Sequence, residues 1–132
     1  MTAEPAAATR HTGTYPGRAD QVRHVRRAIA RHLAGCPAAD DAVLIASELA
    51  SNAIRHTPSG QDGGEFTLTV RTEPGWARVE VSDAGTGEWS PPRGGSDDEE
   101  YGRGLAIVAA LADKLGHDIR ASGQTVWAEV IW

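Results

Sequence analysis

Asp83 stands at the end of an alternating apolar run and is followed by Ala84, Gly85, Thr86 and Gly87. A carboxylate only accepts hydrogen bonds, and the two glycines let the backbone come close, so this group can accept from an exocyclic amine. Farther on, Gly102-Arg103-Gly104-Leu105 stands at the entry to an apolar helical pattern. Free backbone N–H groups and the helix dipole at such an entry form a phosphate cradle, to which Arg103 adds a positive charge. Earlier, Glu48, Asn52 and His56 recur every four residues in SELASNAIRHT. On a helix they share one face beside the stripe of Ala46, Leu49 and Ala53.

Each signal is weak alone. Asp and Gly are the commonest turn residues, a glycine-rich segment before a helix can simply be its flexible cap, and a polar stripe is the ordinary outer face of an amphipathic helix. Their order along the chain, and the elements that carry them, give them weight.

Val22, Val25, Ile29 and Leu33 recur at helical spacing, with Asp20 as the expected N-cap and Gly35 and Pro37 as the stop. The opposite face, with Arg23, His24, Arg26, Arg27, Arg31 and His32, reads as a solvated helix face. A second helix is predicted from about Ala38 to His56, ended by Thr57, Pro58 and Gly60. Phe66, Leu68 and Val70, then Ala77, Val79 and Val81, alternate with polar residues around a Pro74-Gly75 turn, which predicts a hairpin ending in Asp83. The stretch from about Gly85 to Gly104 has no apolar period and reads as a long loop acting as a lid. A third helix is expected from Leu105 through Leu115, stopped at Gly116, with two last strands around Ile119 and from Thr125 to Trp132. In the last of these Val126, Ala128 and Val130 point one way, and Thr125, Trp127 and Glu129 the other. Helices segregated from hairpins predict an α+β sandwich, one mixed or antiparallel sheet with helices on one face.

The 132 residues amount to a single domain. A formal charge of -5 argues against direct nucleic-acid or anionic-membrane binding. Apolar runs are too short to cross a membrane and the start is unlike a secretory signal, so a cytoplasmic location is expected. Cys36 is the lone cysteine, which excludes an intramolecular disulfide and a thiolate zinc site.

ExxxN on a helix, DxGxG after a strand and GxGL before a helix, in that order, resemble the GHKL nucleotide-binding superfamily, which includes gyrase, histidine kinases and anti-sigma serine kinases. The resemblance runs from about Tyr15 to Trp132. TYPGRADQVRHVRRAI, SELASNAIRHT and GQTVWAEV resemble its short, free-standing branch, the anti-sigma-factor serine/threonine kinases. It implies a two-layer α/β sandwich of the Bergerat type over residues 15–132, preceded by a flexible tail at 1–14 and carrying a lid loop at 88–103. Part of Thr12–Tyr15 is open to pairing as an edge strand.

ATP and magnesium are the cofactors the resemblance implies. By it, Asn52 holds the magnesium, Asp83 reads the adenine amino group, and Glu48 is the general base on an incoming hydroxyl. Gly85 and Gly87 match the glycine box beside the adenine, and Gly102, Arg103, Gly104 and Leu105 match the segment closing over the phosphates. Thr125 resembles the late threonine that supports Asp83, while His56 receives no catalytic role. The implied substrate is a STAS-type anti-anti-sigma protein, the implied second partner a sigma factor, and the implied assembly a homodimer. An ATP-dependent partner-binding module without kinase activity is the alternative. A detached histidine-kinase catalytic domain is disfavoured, because His24-Val25-Arg26 is unlike a phospho-acceptor helix.

Overall fold

The computed structural model describes residues 8–85 and 99–132, the stretch 99–103 by its backbone alone. Strand β1 (Thr9–Pro16) leads into helices α1 (Val22–His32) and α2 (Ala39–His56). The hairpin β2 (Glu65–Glu73) and β3 (Trp76–Asp83) follows, then α3 (Glu99–Leu111) and the closing strands β4 (Lys114–Arg120) and β5 (Gly123–Ile131). Single 3-10 turns cover Ala19–Gln21 and Pro58–Gly60. The strands form one antiparallel sheet in the order β1-β2-β3-β5-β4. Helix α2 lies over β2, β3 and β5, with α1 and α3 packed against it, so the helices form the second layer of an α+β sandwich.

Alternation decides which strand residues enter the core. Leu68 and Val70 of β2, Val79 and Val81 of β3, and Ala128 and Val130 of β5 point into the helical layer and are buried. Opposite them α1 contributes Val25 and Ile29, and α2 contributes Ala42, Ile45, Ala46, Leu49, Ala50 and Ala53. The four alanines on the α2 face let the helix backbone lie close to the sheet. Burying each of the large side chains, such as Phe66, Ile29, Ile45 and Leu68, stabilises the fold by about 1.5–3 kcal/mol. On the outer face, Arg78 bonds Glu80 at 2.7 Å and Glu129 at 2.8 Å and lies 4.1 Å from the centre of the Trp127 ring. Trp76 and Trp127 are thus sheet-surface residues.

Four expectations need correction. The edge strand begins at Thr9, so residues 9–14 belong to the sheet; the part of the expected tail at 1–7 lies outside the described residues. Asp20 does not cap α1: it sits in the preceding 3-10 turn, where it accepts from Arg18 at 3.3 Å, and Gln21 occupies the cap position. Helix α3 starts at Glu99, so Gly102, Arg103 and Gly104 lie inside it rather than before it. The same helix ends at Leu111, and Leu115 and Gly116 belong to β4, where they pair with Ala128 and Trp127. Gly116 is not a helix stop; it makes room for the Trp127 ring, which a Cβ at that position would approach to 2.5 Å. The part of the expected lid at 88–98 lies outside the described residues, and 99–103 is helical. Among the described residues no helix is long and apolar enough to cross a membrane.

Candidate functional site

The expected site residues fall into two groups, one on the helices and one at the end of the sheet. On α2 the buried stripe faces the sheet, which leaves Glu48 and Asn52 half-buried on the side of the helix that meets α3. Gly104 of α3 lies against both: a Cβ placed there would be 2.9 Å from Glu48 Oε1 and 3.4 Å from Asn52 Oδ1. Leu105, next in the chain, turns into the core and is 1% exposed, so its contribution is to hold α3 in place. Asn52 Nδ2 is buried and has no hydrogen-bond partner among the described residues. An unmet buried amide is costly, and its presence marks a position that a ligand can complete. Turned half over, the carboxamide exchanges its donor and acceptor ends, so the same position suits a phosphate oxygen or a hard cation. His56, at the last position of α2, is exposed.

Because Arg103 and Gly104 lie past the first four residues of α3, their N–H groups bond back within the helix. They are not the free donors expected of a helix entry. What Gly104 supplies instead is the absence of a side chain, which lets Glu48 and Asn52 approach the α3 backbone.

At the sheet end, Asp83 continues the inward phase of Val79 and Val81 and so points to the helical side. Its Oδ1 accepts from the Gly85 N–H at 2.6 Å and from Gln124 Nε2 at 3.2 Å, while Oδ2 is 3.5 Å from the same amide. Burial raises the Asp83 pKa above its ordinary value; the Gly85 N–H, the Gln124 amide and the charge of His117 pull it part of the way back. The carboxylate keeps acceptor capacity on Oδ2, which is what reading an amine requires. A cavity of about 320 Å³ wraps this end of the sheet, lined by Glu65, Thr67, Ser82, Asp83, Arg120 and Gln124 among others. Glu48 and Asn52 do not line it. Gly87 lies outside the described residues.

Thr125 does not support Asp83. It lies on the outer face, opposite Ser82, bonding Ser82 Oγ at 2.8 Å and also Arg120. The residue opposite Asp83 is Gln124, 8% exposed, whose Oε1 is buried without a partner among the described residues. Ser59 was also missed: it is 1% exposed, and its Oγ accepts from the Ala84 N–H at 2.9 Å.

Residues 15–130 match the family model described as the histidine kinase-like ATPase domain. The chain belongs to that family. No curated protein sequence matches it. This histidine kinase-like ATPase domain is of the GHKL type, and its antiparallel sheet with helices on one face agrees with that fold. It is an ATP-binding, kinase-like module. The residues present fit the nucleotide: the domain offers a carboxylate with acceptor capacity left at one end and an unsatisfied carboxamide beside a carboxylate on α2.

Proposed function

We propose that the domain is a serine/threonine kinase of the anti-sigma-factor type, which phosphorylates a STAS-type anti-anti-sigma protein and thereby controls a sigma factor. The observation that carries this reading is the juxtaposition of Glu48 and Asn52 against Gly104, with the Asn52 amide unsatisfied. Bound ATP would supply the phosphoryl group and a magnesium ion the charge neutralisation that phosphoryl transfer needs. Asn52 would hold the ion, Asp83 would accept from the adenine amine, and Glu48 would take the proton of the incoming hydroxyl as that hydroxyl's oxygen bonds to the γ-phosphorus and the bond from phosphorus to the bridging oxygen breaks, releasing ADP. Glu48 is half-buried, and its Oε1 lies against Gly104 of α3, next to Asn52. Phosphorylation adds a dianionic group to the partner, enough to exchange one complex for another.

Calorimetric titration with ATP and magnesium, followed by phosphotransfer assays with candidate STAS proteins, tests this. Asp83→Asn is expected to weaken nucleotide binding, and Glu48→Ala to leave binding largely intact while abolishing transfer. Equal loss of binding in both variants would sink that division of roles. Saturable, Asn52-dependent ATP binding without transfer to any partner would leave the partner-binding module as the better reading.

A further inference from the structure

Ser59 lies between the two groups of the site and belongs to neither. It follows the C-terminus of α2, where Thr57 Oγ1 donates to the Ala53 carbonyl at 2.6 Å and accepts the Ser59 N–H at 3.1 Å. Its carbonyl is enclosed: a Cβ on Gly17 would come within 1.7 Å of it, and one on Gly64 within 2.3 Å. Gly17 and Gly64 are themselves joined by a backbone hydrogen bond of 2.9 Å. Gly60 is equally confined, since a Cβ there would lie 1.7 Å from the Ile54 carbonyl of α2. The serine therefore has its N–H tied to the helix cap, its carbonyl closed in by backbone, and its hydroxyl oxygen left to take the Ala84 N–H.

We infer that Ser59 is a positioning residue that sets base selectivity, fixing the Asp83-Ala84-Gly85 turn to the end of the helix that carries Asn52. This rests on Asp83 reading a purine amine. The turn is otherwise held by the β3–β5 pairing that sets Asp83 opposite Gln124 and by the Gly85 N–H and Gln124 side-chain bonds to the Asp83 carboxylate, all within the sheet and the turn itself. The Ala84–Ser59 bond alone among these ties that backbone to the turn that ends α2, so it helps set where the carboxylate stands relative to that helix. Without it Asp83 keeps its partners but loses its bearing, and a misplaced acceptor distinguishes an amine from a carbonyl less sharply.

The test compares ATP with inosine triphosphate, which carries a carbonyl where adenine has its amine, using the full chain and direct titration. Wild type is expected to prefer ATP, and Asp83→Asn to reduce that preference. Ser59→Ala is expected to lower the ATP-to-inosine-triphosphate affinity ratio about three- to tenfold, the loss expected for one hydrogen bond. Ala84→Pro removes the donor instead of the acceptor, and the same narrowing is expected with Ser59 in place. A lower melting temperature with an unchanged ratio in Ser59→Ala would make the serine merely structural and overturn the inference. If Ser59→Ala fails to fold, the ratio in Ala84→Pro decides in the same way. A wild type without preference for ATP overturns the reading of Asp83 itself, an outcome distinct from an unchanged ratio in the two variants.

Discussion

Asp83 and Gln124 face each other across the β3 and β5 ladder, and the amide of one donates to the carboxylate of the other at 3.2 Å. That bond and the Gly85 N–H oppose the effect of burial on Asp83 without cancelling it, since the pKa remains raised.

The raised pKa has a definite sign in pH dependence. Above the folded pKa the buried carboxylate subtracts from stability; as pH falls through that value the folded chain takes up the proton more readily than the unfolded chain, and the cost disappears. Asp83→Asn is therefore expected to melt no lower than wild type at neutral pH while binding ATP more weakly. The acid loss of ATP affinity in wild type should begin at a higher pH than an unperturbed aspartate would give, and the part due to Asp83 should vanish in Asp83→Asn. Thermal melts and titrations across pH check both; a variant that melts lower at neutral pH would show that the carboxylate's bonds outweigh its burial.

Gly104→Ala separates stability from function. Alanine is favoured over glycine in a helix interior by about 1 kcal/mol. The atom it meets first is the far end of Glu48, at 2.9 Å, which can move aside. We expect equal or higher thermal stability together with a reduced rate of phosphoryl transfer, because the displaced group is the proposed base. Loss of stability with transfer unchanged would reverse that assignment.

Gly116→Ala should do the opposite. The new methyl would meet the Trp127 ring at 2.5 and 2.8 Å, and the same ring is packed against Arg78, 4.1 Å from its centre. Overpacking of this kind costs about 1–3 kcal/mol. A melting temperature lower by several degrees, with nucleotide affinity little changed, is the expected result of differential scanning fluorimetry and titration.

What the sequence made legible is what short-range periodicity encodes. Helix α2 and the β2 and β3 hairpin follow from spacing and from the Pro74-Gly75 turn, and with them come Glu48, Asn52 and Asp83. Leu115 continues a helical pattern by spacing and Gly116 reads as its stop, and only their pairing with Ala128 and Trp127, distant in the chain, makes them strand. Gly102 and Gly104 read as a break because the contact that gives Gly104 its place is with another helix. Gln124 was within reach: the alternation that turns Val126 inward carries Gln124 to the same face as Asp83 and sends Thr125 to the other. Ser59 was not, because a Pro-Ser-Gly turn looks alike whether its hydroxyl meets water or a buried N–H.

The strand order leaves β1 and β4 at the two margins of the sheet. β4 carries Lys114, His117, Asp118 and Arg120, and β1 carries Arg10 and His11 and ends in Pro16. Charge and proline along a margin discourage another chain from extending the hydrogen-bonded ladder. Edge-to-edge growth into a continuous ribbon is thereby opposed at both sides.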